Sequence, residues 1–210
     1  MNLPELVQRL IKATMIQMRV SMPARVESYD AGRQMVQVSI VMPERDLDGS
    51  LIPQAVINEV PVSFMRCGGA HLTFPIRRGD TGLIVFADRD VGAWVSDGAT
   101  VSDSDRMHAI NDAVFIPGIQ AGGVSANPDD VELQYQGSTV HIRKSGLIEL
   151  TGNVQINGDL TVNGSVTVSD DVTAGGSVSV SDDVSADGVS LKVHTHGGVE
   201  SGSANTSPPN

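Results

Sequence analysis

The chain has 210 residues, room for one or two domains, and its 14 Lys/Arg against 25 Asp/Glu give a net charge of −11. Both parts are acidic, with 11 basic against 16 acidic residues up to position 130 and 3 against 9 beyond it; phosphate contacts need clustered Lys/Arg, so neither part reads as a nucleic-acid binder. Cys67 is the one cysteine, which excludes an intrachain disulfide, and no apolar run approaches the length of a membrane span.

The first residues do not form a secretory leader, because Glu5, Gln8, Arg9 and Lys12 interrupt any apolar core. An extracellular site of action would need another route. They predict a helix instead. Leu3, Leu6, Val7, Leu10, Ile11 and Thr14 recur at i, i+3, i+4, i+7 and i+8, and Pro4, behind Asn2 or Leu3, suits a first helical turn. Such a helix either lies on its own domain or docks in a bundle or on a partner.

Residues 24–120 read as β. Val36, Val38 and Ile40 alternate with polar neighbours after the Asp30-Ala31-Gly32 turn, and Val60, Val62 and Phe64 alternate again. "LTFPI" (72–76) and "LIVFA" (83–87) flank an "RRGDTG" turn, and "AVFIPGI" (113–119) is the last strand candidate. Roughly five strands at this spacing suit a small oligonucleotide/oligosaccharide-binding (OB) type barrel, with a sandwich as the alternative. "NPDD" (127–130) reads as a linker. Tyr29, Phe64, Phe74, Phe86, Trp94 and Phe115 all precede it and only Tyr135 follows, so the remainder lacks the large side chains of a compact single-chain core.

Beyond the linker lies an internal repeat. "NVQINGDLTVNG" (153–164), "SVTVSDDVTAGG" (165–176) and "SVSVSDDVSADG" (177–188) align without gaps at a period of 12, and "HIRKSGLIELTG" (141–152) fits as a degenerate first copy. The second position is Ile142, Val154, Val166 and Val178; the eighth is Ile148, Leu160, Val172 and Val184; the twelfth is Gly152, Gly164, Gly176 and Gly188. Each copy predicts two very short strands separated by Gly or Asp turns. A two-stranded ribbon is marginal in water, and stacking copies still leaves one apolar face open. Three identical chains wound about one axis would bury the valine rows and leave no exposed strand edges. A disordered linker and a single-chain solenoid are the alternatives.

The chain closes on "KVHTHGGVESGSANTSPPN" (192–210). In an extended strand residues i and i+2 face the same way, so His194 and His196 would point together. One chain supplies two imidazoles. About a threefold axis there are six, enough for an octahedron, which points toward iron(II), nickel or cobalt rather than zinc or copper.

The "HTHGG…SGSANTSPP" ending, with "LTFPIRRGDTGLIVFADRDVGAW" and "RMHAINDAVFIPGI" before it, resembles the central spike, or baseplate assembly protein, of contractile-tailed bacteriophages, including Mu-like phages. The resemblance implies a mainly β homotrimer: an N-terminal helix (1–20), an OB-fold-like domain (21–126), an intertwined trimeric β-helix needle built from the repeats (127–190) and an apex (191–210). At that apex, His194 and His196 of three chains would hold one iron ion per trimer. It further implies a non-enzymatic part, made in the host bacterial cytoplasm and carried at the tip of the virion's tail baseplate. Its N-terminal end would meet tail hub proteins, and its tip would be driven through the host outer envelope on contraction. The alternative is a receptor-binding tail fibre or trimeric adhesin. A fibre should carry a broad distal recognition domain, whereas this chain ends within 14 residues of His196, all small or polar except Val199 and the acidic Glu200.

Other signals carry less. "RGD" (78–80) matches an adhesion tripeptide but lies where turn chemistry is expected. His71, His108, Asp105 and Asp112 suggest a catalytic group only in isolation, and there is no G-x-S-x-G, H-E-x-x-H, phosphate-binding glycine loop or C-x-x-C. A metalloenzyme using the two apical histidines would need an open coordination position, with Glu200 the nearby carboxylate. Asp170-Asp171 and Asp182-Asp183 offer oxygen ligands to calcium, though solvated turns explain them more simply.

Overall fold

A computed structural model of the chain describes residues 2–45, 50–52, 56–101, 104–123, 127–198 and 202–203. These residues are mainly β behind a short N-terminal helix, and the chain divides into two units, Met1–Val131 and Glu132–Asn210.

Helix α1 (Leu3–Gln17) starts with a capping box. Asn2 Oδ1 accepts from Glu5 N at 3.0 Å, and Glu5 Oε2 accepts from Asn2 N at 3.3 Å; two donors left over at the helix start are thereby satisfied. The apolar stripe forms as the spacing predicts but stays uncovered, with Leu3 73% and Leu10 59% exposed. The helix therefore does not lie on its own domain, one of the two arrangements the sequence allows.

The rest of the first unit is β1 (Ser21–Asp30), β2 (Met35–Ile40), β3 (Glu44–Arg45), β4 (Leu51–Ile52), β5 (Val56–Pro61), β6 (Met65–Cys67), β7 (Ala70–Leu72), β8 (Thr81–Phe86), α2 (Gly92–Asp97) and β9 (Ala113–Pro117). Five strands form one antiparallel sheet in the order β5-β2-β1-β8-β9. Its two edges meet at one parallel bridge, Val62 to Phe115, where Ser63 N donates to the Phe115 carbonyl at 2.8 Å. The sheet thus curls into a half-barrel. Side chains alternate across a strand, and the inward set is the core: Ala24, Val26, Val36, Val38, Ile40, Ile57, Val60, Ile84, Phe86 and Phe115 are all buried.

One strand expectation changes, and one strand was not foreseen. "LTFPI" is not a strand: β7 stops at Leu72, and Pro75, which has no N–H to give a ladder, lies in a run without strand pairing. The central strand β1 contains Pro23, paired with Leu83; an internal proline argues against a central strand, and it is tolerated here near the strand's start.

The second unit opens with a three-stranded sheet, β10 (Val131–Tyr135), β11 (Ser138–Ile142) and β12 (Ile148–Thr151), in that order. Gln136 and Gly137, at φ 48° and 85°, make the first hairpin turn. Past β12 no strand is formed until β13 (Ser185–Ala186) and β14 (Val189–Ser190), joined through Asp187 and Gly188 at φ 49° and 79°.

Candidate functional site

Between those sheets the repeat has a simple form. Bends fall at 157–158, 163–164, 169–170, 175–176 and 181–182, so the structural period is six, half the period of the sequence. Four residues in neither helix nor strand separate successive bends. Each such segment carries two apolar residues at i and i+2, such as Val154 and Ile156, Leu160 and Val162, or Val166 and Val168, which in an extended chain face one way. Gly164 and Gly176 sit at the second bend position where Asp170 and Asp182 also sit, and neither glycine takes positive φ, so the backbone there does not require glycine. The two short strands predicted for each copy form in the first, degenerate one, where β11 pairs with β12, but not in the copies that follow: residues 153–184 have no ladder partner within the chain. Their apolar side chains are uncovered, with Leu160 69%, Val172 77% and Val178 74% exposed. A single-chain solenoid would pair successive coils with one another, and this segment does not.

The last hairpin carries the histidines into position. Leu191–Val193 form a turn directly after β14, so His194 and His196 are not on a strand, as the i, i+2 argument assumed. They converge nevertheless, their rings edge to face at a centroid distance of 5.0 Å. Ser190 makes the turn. Its Oγ accepts from Lys192 N and Val193 N, both at 3.1 Å, and its carbonyl oxygen accepts from His194 N at 3.1 Å. The same carbonyl lies 2.9 Å from His194 Nδ1. A carbonyl only accepts, so this contact is a hydrogen bond when Nδ1 carries the proton, the tautomer that leaves the Nε2 lone pair free. Asp183 takes Lys192 N at 3.1 Å, and the Ser190 hydroxyl, followed by such backbone N–H groups, holds its carboxyl below the usual range.

This donor set suits a metal that takes imidazole nitrogen, but only in part within one chain. Two rings are two ligands, and the described residues contain no group of three His, Cys, Asp or Glu placed to hold an ion. Glu200, Val199 and most of the "SGSANTSPPN" tail lie outside the described residues.

The residues set aside in sequence are engaged elsewhere. Arg106 spans two carboxylates in the first unit: Nη2 lies 2.6 Å from Asp90 Oδ1 and 3.1 Å from Asp112 Oδ1, and Nε lies 3.2 Å from Asp112 Oδ2. Asp112 is 1% exposed, and its hydrogen bond raises the Arg106 pKa. His108 faces Asp88 at 3.2 Å, His71 lies opposite Arg66 on an exposed hairpin, and Asp105 is exposed; these side chains do not form a common site. In the RGD turn, Asp80 Oδ2 accepts from Arg77 N at 2.7 Å, and Arg78 lies 3.4 Å from Glu27. The Ser39 hydroxyl donates to Glu27 at 2.7 Å and, with Arg78, lowers its pKa. The paired aspartates at 170–171 and 182–183 are exposed, and Lys192 Nζ approaches Asp182 at 3.6 Å. Sequence reasoning missed the Asp183–Ser190–Lys192 network and the His141–Glu132 pair at 3.1 Å; the i, i+4 spacing of Ser190 and His194 was the available signal for the first.

Residues 22–118, the span of the curled sheet, match the family model described as the phage protein Gp138 N-terminal domain. Residues 188–210, from the last hairpin turn through both histidines, match the GpV Apex motif. No curated protein shows significant similarity to the chain. Among the described residues no helix is long and apolar enough to cross a membrane.

Proposed function

We propose a mechanical role for this chain, which belongs to the phage baseplate and central-spike proteins and so is a structural component of the virion tail: it is a homotrimeric spike that pierces the host outer envelope when the tail contracts. The observation that carries this reading is the uncovered stalk. Every six residues two apolar side chains recur at i and i+2, exposed, on a segment with no ladder partner in its own chain. Two further copies would supply both the missing ladder partners and the missing core, while the Ser, Thr and Asp between them stay in water. The result is a narrow, polar-sided needle of residues 127–190, suited to pushing rather than to recognition.

The strand order of residues 21–126, with edges joined by a parallel bridge, supports an OB-type barrel at the blunt end. That end and helix 1–20, its apolar stripe uncovered, would face the tail hub. At the apex, 191–210, His194 and His196 of three chains would hold one iron ion. When bound, the metal supplies a crosslink between three chain ends that no further repeat holds. The chain's own part is to present the nitrogens. The Ser190 carbonyl fixes the proton on His194 Nδ1, and the edge-to-face packing keeps His196 beside it. The role is a stiff point that does not fray, and no reaction is assigned to it.

Elemental analysis of protein purified without an affinity tag tests the apex. One iron per three chains is expected, lost in the His194→Ala/His196→Ala double variant while the fibre stays assembled. No transition metal in the wild type removes the iron from the account.

A further inference from the structure

We propose that Ser190, braced by Asp183, is the positioning residue of the apex: it sets the tautomer and direction of His194 so that Nε2 is the free nitrogen. This rests on the apical metal reading above and names what in the chain prepares it. A metal takes the ring nitrogen without a proton, and which nitrogen that is depends on the hydrogen bond made by the other. Here the bond runs from Nδ1 to the Ser190 carbonyl, at 2.9 Å.

That carbonyl is aimed by the serine's own side chain. Ser190 Oγ gathers the N–H groups of Lys192 and Val193 at 3.1 Å each, which closes the turn over 191–193 and brings His194 N to 3.1 Å from the Ser190 carbonyl. The Asp183 carboxylate accepts from the same Lys192 N at 3.1 Å, so serine and aspartate hold one backbone N–H between them. Asp183 and Ser190 lie on either side of the β13–β14 hairpin, where Ser185 pairs with Ser190 and Leu191 N donates to the Val184 carbonyl at 2.9 Å. The end of the stalk and the histidine are therefore one hydrogen-bonded unit. A chain with alanine at 190 would keep the backbone carbonyl and lose the group that points it.

The test uses full-length protein labelled with ¹⁵N-histidine, stripped of metal by chelation, at a pH well above the imidazole range. Long-range ¹H–¹⁵N spectra distinguish the two tautomers, and the His194→Ala variant assigns the His194 signals. The wild type is expected to show His194 protonated on Nδ1. Ser190→Ala and Asp183→Ala are expected to shift it toward a mixture and to weaken iron(II) binding by roughly 10–100-fold, the usual effect of losing an outer partner of a ligating histidine. Ser190→Thr, which keeps the hydroxyl, is expected to restore both. His194 protonated on Nε2 in the wild type overturns the proposal, as does an unchanged tautomer in Ser190→Ala. Should the alanine variants fail to assemble, the wild-type tautomer decides alone. A wild type with the expected tautomer that binds no iron(II) counts against the apical metal and leaves the hold of Ser190 on His194 standing.

Discussion

Replacing Val172 by aspartate places three carboxylates in one layer of the proposed needle. In a single chain Val172 is 77% exposed, so most of its side chain remains to be covered on assembly. Burial of a valine contributes about 1.5–3 kcal/mol, so three copies contribute roughly 5–9 kcal/mol to one layer. The variant loses that and adds the cost of three buried charges, several kcal/mol each in practice, together with their mutual repulsion. Folded proteins are stable by only about 5–15 kcal/mol, so one substitution is enough to open the stalk. Thr173→Asp is the control: it lies one residue on, facing the other way in an extended segment, and should change stability by no more than ~0.5 kcal/mol. Sedimentation and thermal melts monitored by circular dichroism read the result. Val172→Asp should dissociate or melt far earlier while the sheet of the first unit stays folded, and Thr173→Asp should match the parent. A Val172→Asp trimer that melts with the parent would mean that this row is not internal.

Two further outcomes follow from the geometry. Removal of residues 165–176 takes out two six-residue segments and leaves the bends in phase, so the fibre should shorten without losing assembly; electron microscopy and native mass check both, and loss of assembly would refute quasi-equivalent layers. In the first unit, Glu27 has a lowered pKa, so its contribution is complete above the ordinary value of 4.5 and lost as pH falls through the lower folded value. Glu27→Gln should flatten the acid limb of that unit's stability curve, and an unchanged limb in urea titrations across that range would show that the Ser39 and Arg78 contacts carry no such linkage.

The N-terminal helix was legible from its apolar spacing, although its stripe stays uncovered, and the sheet was legible where one face is buried. The pattern of Leu3 to Ile11 marks α1, and alternation at Val36, Val38 and Ile40 marks β2, because burial of one face of the sheet imposes its period on the residues. Strand β1 was not singled out because Pro23 and the polar residues from Arg25 to Asp30 mask its two buried residues, Ala24 and Val26. The segment 72–76 was misread for the opposite reason: it is apolar, but Pro75 removes a ladder donor. In the stalk the 12-residue repeat was plain, whereas the structural period of six was hidden because equivalent bends carry glycine at 158, 164 and 176 but aspartate at 170 and 182, and none of these positions takes positive φ. The two histidines were legible as a pair. The turn that joins them was not, since it depends on Ser190 and Asp183, two common residues whose meaning is set by a hairpin between them.

The central claim is that three copies of this chain make one spike, and native mass spectrometry of the untagged full-length protein tests it most directly. The account predicts a single species of three times the 22.1 kDa chain mass, carrying one iron ion. A folded monomer with a strong β signal would contradict it, because the exposed rows from Val154 to Val184 would then be stable in water without a partner.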